Sequence, residues 1–288
     1  MTKANRRLYT YAFLLPAGLI YTVFFLIPTL LSFFFSMTRW DLEEWKFIGF
    51  ENYATFFSES SLTIGFRNTL VYAVVTCGLK VLLGLLLGVV LTSSLRTKGY
   101  LRSVVFFPTL LSTIAVGIAF STLMHPTQGL INKALALADI AGPDWLGDTR
   151  IALLSVAFVD VWKGVGMATV IFIAGIMSIP QEYGEALQID GGTAWDKFRH
   201  ITVPLTAPAM NSVIILAFIG GLRSFDLVWA MTKGGPGFST DLIASIIYKQ
   251  YQGGFYGLAT AGNVILFIGV SLLAFPLFTF LSRREVDL

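Results

Sequence analysis

Apolar residues in this chain gather in long uninterrupted runs. Six stand out, at about Tyr11–Met37, Thr69–Thr92, Leu101–Met124, Ile151–Ser178, Leu205–Met231 and Gly257–Leu281. Each reaches the roughly 20 residues that a helix needs to cross a bilayer core about 30 Å thick. Their continuity and length disfavour barrel strands, which alternate and are shorter. Pro16, Pro28, Pro108, Pro208 and Pro276 lie within or near the runs. Bundled membrane helices accept such kinks where neighbours satisfy the freed carbonyls. The segments between the runs differ in kind. Thr38–Asn68 is acidic (Asp41, Glu43, Glu44, Glu51, Glu59) and aromatic (Trp40, Trp45, Tyr53, Phe56, Phe57), and reads as an interfacial helix. Leu130–Ile140 has the length of a short helix, stopped by Ala141-Gly142-Pro143. Gly-Gly-Pro-Gly at 234–237 is a turn-former.

Composition sharpens the picture. Of 288 residues, 55% are hydrophobic and 13% charged, against about 45–50% and about 25% in soluble domains. A soluble fold of this length could not hide so much apolar surface, which excludes a cytosolic globular enzyme. The net charge of +3 comes from scattered Lys and Arg, so no stripe for nucleic acid forms. Cys77 is the single cysteine and rules out an internal disulfide or a Cys/His zinc cluster. No G-x-x-x-x-G-K-[S/T] loop occurs, so this chain does not itself hydrolyse ATP. No H-E-x-x-H or convincing Ser–His–Asp set is present, and His125 and His200 fall on opposite sides of the membrane in a six-span topology.

Lys and Arg also set the direction. With the amino terminus inside, the cytoplasmic side holds ten (Lys3, Arg6, Arg7, Arg96, Lys98, Arg102, Lys197, Arg199, Arg283, Arg284) and the outer side seven. The short link Leu95–Arg102 carries three basic and no acidic residues, and such links weigh most. Both termini are therefore expected in the cytoplasm. The first run continues past signal-peptide length without a small-residue cleavage site and reads as a retained span.

Ile179–Pro204, between the fourth and fifth runs, is too long and too patterned to be a simple link. Pro180 suits a helix start, Gln181–Asp190 can run as a helix, Gly191-Gly192 break it, and Thr193 caps a second helix to about Ile201. The result is a structured knob, built to dock a partner. Glu185-Ala186, Asp190-Gly191, Phe198, Ile201 and Pro204 together resemble the EAA loop of ABC importer permeases. Leu187 and Gly192 stand where that pattern usually has Ala. The resemblance runs along nearly the whole chain, toward the sugar-type permeases of the maltose and glycerol-phosphate importer group. It includes LLPAGLIYTVFFLIPTLLSFFFSMTRWD, GFENYATFF, FRNTL, FFPTLLSTIAVGIAF, Trp162-Lys163 and FDLVWAMTKGGPG, in that group's order.

The resemblance implies an all-α integral membrane protein, a single six-helix permease domain over 1–288. Its coupling residues would be Glu185, Ala186, Asp190 and Gly191. It also implies an inner-membrane importer subunit that moves a carbohydrate by alternating access. The partners would be a second homologous permease, two ATPase subunits and an extracytoplasmic solute-binding protein. ATP and Mg would be held by the ATPases, and no cofactor is expected in this chain. The alternatives are a secondary transporter or channel without ATPases, for which inverted repeats would be expected, or an ABC permease for a solute such as a glycerol phosphate.

Five ionisable residues fall within runs: Lys80, Asp160, Lys163, Arg223 and Asp226. A mid-bilayer charge costs at least about 2.5–3.5 kcal/mol on insertion scales, so each needs a partner or water. Asp160 with Lys163, and Arg223 with Asp226, are spaced i, i+3 and can share a helix face. Either each pair neutralises itself, or these helices line a water-accessible cavity. In the second reading Trp162, Phe225 and Trp229 supply ring faces beside hydrogen-bonding groups, a mixture that suits a sugar. Trp229 alone also fits an interface anchor. Lys80 has no local partner in the sequence.

Overall fold

The computed structural model describes residues 11–283. Lys3, Arg6, Arg7 and Arg284, used above for orientation, lie outside them. Among the described residues, four helices are long and apolar enough to cross a membrane: α1 (Leu15–Phe35), α3 (Ser61–Thr92, begun at Ser60), α7 (Ala152–Met177) and α13 (Tyr256–Ser282). Two further spans are bent pairs. Lys98–Leu110, with α4 at Lys98–Phe106, meets α5 (Thr113–Leu123) at 96°, and the short helix α6 (Leu130–Ala136) follows. The α9 segment (Ala194–Leu205) meets α10 (Ala207–Leu222) at 65°.

The sequence reading needs three corrections here. The second span begins some eight residues before Thr69. The third run, read as one helix over Leu101–Met124, breaks at Leu111 and Ser112, whose backbones are extended. The fifth run, read to Met231, ends as a helix at Leu222, and Asp226–Met231 forms a separate helix, α11. An apolar run records which residues avoid water. It does not record where the axis turns. Proline marks several of the irregular places. The first bend follows Pro108, and the second lies between Pro204 and Pro208. The π-turns Thr22–Leu26 and Phe198–Thr202 each end two residues before a proline, whose missing N–H and ring disturb the preceding turn.

Packing groups the chain into two compact units, with boundaries inside α12 (Ile243–Gln252) and α13. One comprises the described residues up to Glu59 with Ile247–Phe267. Here Thr38–Trp40 (β1) pairs antiparallel with Trp45–Phe47 (β2), followed by α2 (Glu51–Ser58), where the sequence reading had an interfacial helix alone. The turn between the strands is closed by Asp41, whose carboxylate accepts the Glu43 and Glu44 N–H groups and is held below the usual carboxylate range by them. Buried Asn52 donates to the Ser36 and Thr38 carbonyls, fastening α2 to the hairpin.

The second unit, Ser60–Ile246 with the chain from Ile268, holds the candidate site. Its centre is α7, with 12 of 26 residues buried. Small residues bring α3 close. A side chain on Gly84 would place its Cβ 2.8 Å from that of Ala168, and one on Gly88 would meet Phe172 at 2.9 Å. Gly221 of α10 likewise rests on Ala73 and Thr76 of α3, and Gly117 of α5 on Ala230 of α11. Membrane helices, lacking a hydrophobic drive toward one another, associate through such close approach. Tyr72, Val156, Leu227, Val228 and Leu242 fill the core between them. The segment after the Gly-Gly-Pro-Gly turn is pinned to the start of α3. Asn68 donates to the Ser239 and Asp241 carbonyls, and Thr69 Oγ1 accepts from Ile243 N.

Candidate functional site: an intramembrane polar stripe and an exposed coupling helix

On α3, Tyr72, Thr76 and Lys80 recur every four residues and so share one face. Tyr72 and Thr76 are fully buried. Lys80 Nζ lies 2.7 Å from Asp160 Oδ2 on α7, with the side chains 13% and 23% exposed. This overturns the pairing read from sequence, since Asp160 bonds to Lys80 and not to Lys163. Gly164 explains the choice. It lies one turn beyond Asp160, and a Cβ there would sit 2.7 Å from Lys80 Cε. The missing side chain is the space through which the Lys80 stem reaches the carboxylate. Lys163 is half-buried, its ammonium has no ion pair or hydrogen bond among the described residues, and Thr109 Oγ1 donates to its carbonyl at 3.0 Å.

The Arg223–Asp226 pair is not formed either. Residues 223–225 are the break between α10 and α11, so the two side chains do not share a continuous helix, and both are exposed. Ser224, inside the break, donates to the Tyr72 hydroxyl at 3.4 Å, linking the break to the polar face of α3. The aromatic residues do come together in pairs. Trp162 lies 5.1 Å from Phe120, and Phe225 stacks on Trp229 at 5.7 Å. Sequence reasoning missed Tyr72, Ser224 and the partner of Lys80. The four-residue polar spacing in the second apolar run was the available signal.

The knob between α7 and α10 folds as read. Pro180 precedes α8 (Gln181–Ile189), and Gly191 at φ +77° turns the chain, a conformation that costs a side-chain-bearing residue about 1–2 kcal/mol. Gly192 N–H returns to the Leu187 carbonyl at 2.8 Å. Thr193 and Asp196 form a reciprocal capping box at the start of α9. The two departures from the EAA pattern prove to be neighbours. A Cβ on Gly192 would fall 2.5 Å from Leu187 Cγ, so the larger side chain at 187 occupies the place of an alanine methyl at 192. Glu185, Ala186, Asp190 and Gly191 are all exposed, beside exposed Tyr183, Ile189 and Trp195. Gly184 is buried against Lys197 on the other side of α8. Behind the knob, a cavity of about 580 Å³ lies among Thr92, Met177, Gly184, Phe198 and Ile201.

Charged and aromatic side chains within the spans and an exposed, capped helix outside them are features of a transport subunit. Residues 80–286 match the family of binding-protein-dependent transport system inner membrane components. The chain belongs to this family. It is a permease of the ABC importer type in the inner membrane, and a transport subunit rather than an enzyme. The chain is 30% identical to the trehalose/maltose transport system permease protein MalF of Thermococcus litoralis, over 90% of this chain and 88% of that one. It is 30% identical to the arabinooligosaccharides transport system permease protein AraP of Bacillus subtilis, over 90% and 84%. In fold it superposes on a chain of a bacterial alginate ABC transporter, solved in complex with an alginate pentasaccharide-bound periplasmic protein. The TM-score is 0.78 at 23% identity, covering 94% of this chain and 91% of that one.

Proposed function

We propose that this permease imports a carbohydrate, an oligosaccharide, through a pathway lined by Asp160, Trp162, Lys163, Arg223, Phe225, Asp226 and Trp229. The observation that carries this reading is the placement of exposed Trp162 and half-buried Phe225 and Trp229 next to charged groups in and beside α7 and α11. A pyranose offers an apolar C–H face to such rings and a rim of hydroxyls to such charges. Relatives whose names specify sugars support it. The chain acts with a solute-binding protein outside, a second homologous permease and two ATPase subunits. Both termini and the α8 knob face the cytoplasm. Closure of the ATPase dimer on ATP is passed through Glu185, Ala186, Asp190 and Gly191 to the spans. This coupling requires the inward- and outward-facing states to differ in their free energy of interaction with the ATPases.

The test is reconstitution of the full complex in proteoliposomes with its binding protein. ATP-dependent uptake of a labelled oligosaccharide is expected, and replacing Trp162 and Trp229 by Ala should reduce it at least tenfold while the subunits still co-purify. Undiminished uptake in that double variant would remove these rings from the pathway.

A further inference from the structure

The ion pair between α3 and α7 leaves one charge unaccounted for. Asp160 is engaged by Lys80. Lys163, near the middle of α7, has no ion pair or side-chain hydrogen bond among the described residues, although it is half-buried. Arg223 and Asp226 are of opposite sign and both exposed, so together they add no net charge. An ammonium at this depth persists only where it meets water or an anion.

Its surroundings narrow the choice. The Lys163 carbonyl is held by Thr109, which lies beside the extended residues Leu111 and Ser112 where the third span turns through 96°. Irregular backbone at membrane depth is tolerated where it is buried in protein or lines a water-filled cavity. Trp162, the adjacent residue, is 37% exposed with Phe120 against its ring. A cation and an aromatic face thus leave neighbouring positions of one helix, next to a break in another. The ring suits the C–H face of a sugar. The ammonium is a compact, strongly hydrated charge with three donors, and it makes its strongest bonds to anionic oxygen.

From this arrangement we infer that the transported carbohydrate carries an acidic group, carboxylate or phosphate, and that Lys163 pairs with that group as it passes the break between α4 and α5. The inference rests on the carbohydrate-import reading and narrows it to an acidic substrate.

The experiment uses the complete importer with its binding protein in proteoliposomes. Three probes are compared: trigalacturonate for a carboxylate, glucose 6-phosphate for a phosphate, and maltotriose as the neutral control. Wild type should carry at least one acidic probe, and which one it carries tells carboxylate from phosphate. Lys163→Gln should raise the KM for that probe, or lower its uptake, at least tenfold. Lys163→Arg should stay within about threefold of wild type, and Lys163→Gln should lower the ratio of acidic-probe uptake to any maltotriose uptake at least tenfold. Two results would overturn the inference while leaving carbohydrate import intact: uptake of maltotriose but of neither acidic probe, or unchanged acidic uptake in Lys163→Gln. Poor co-purification of Lys163→Gln with equal loss for every probe would assign the ammonium to a partner-chain carboxylate, and also overturns it. Failure of wild type to move any of the three removes the carbohydrate reading itself.

Discussion

Asp160 could have bonded to either of two lysines, and the one far away in sequence won. Lys163 sits three residues on, within reach on the same helix, yet Lys80 makes the 2.7 Å contact from α3. The cause is packing: glycines let α3 and α7 approach, and Gly164 leaves the channel that the Lys80 stem fills. Removing one member of a buried pair strands its partner and costs about 3–5 kcal/mol, whereas replacing both with apolar residues is often neutral. Asp160→Asn should therefore lower the thermal stability of the detergent-purified protein by about 3 kcal/mol. Lys80→Met combined with Asp160→Leu should recover most of that loss. Thermal unfolding followed by tryptophan fluorescence measures both, and an Asp160→Asn protein as stable as wild type would show that the pair ties nothing together. The five intramembrane charges were legible one by one in the sequence. Their pairing was not, because a spacing of three residues carries no information about a facing helix.

Among the elements, the knob is the one whose local chemistry is complete in the sequence. Pro180 opens α8, Gly191 supplies the positive φ that ends it, and Thr193 with Asp196 starts α9, all within 17 residues. No long-range contact was needed to read it. The exposed Glu185 has little to contribute to the stability of the bundle, since surface ion pairs are worth about 0–1 kcal/mol. Its effect is expected on coupling instead. Glu185→Lys and Gly191→Val should reach the membrane at normal levels yet lose at least tenfold of substrate-stimulated ATP hydrolysis in the purified complex. Assays with and without binding protein test this directly, and normal stimulation in both variants would falsify the coupling role. The bent spans are the opposite case. Leu101–Met124 and Leu205–Met231 are each mostly apolar, yet each is broken, the second again at 223–225, which includes Arg223. Pro108 and Pro208 announced some irregularity, but the 96° and 65° angles depend on what receives the freed backbone groups.

For the whole molecule, orientation is the property that decides which side each site serves. Reporter fusions after Arg102 and after His200 should read cytoplasmic, and fusions near Glu44, Asp144 and Pro236 external. An external signal at His200 would detach the knob from any cytoplasmic ATPase. The sequence by itself determined the solvent, the number of apolar runs, the helical class and the outline of the knob, because each depends on composition or on contacts within a few residues. The tertiary structure alone decided that the chain packs as two units, that Asp160 belongs to Lys80, that Arg223 and Asp226 stand apart, and that Lys163 keeps its charge uncompensated among the described residues. Those outcomes turn on which helix faces meet and where an axis bends, and both are set by van der Waals fit between segments as much as 174 residues apart.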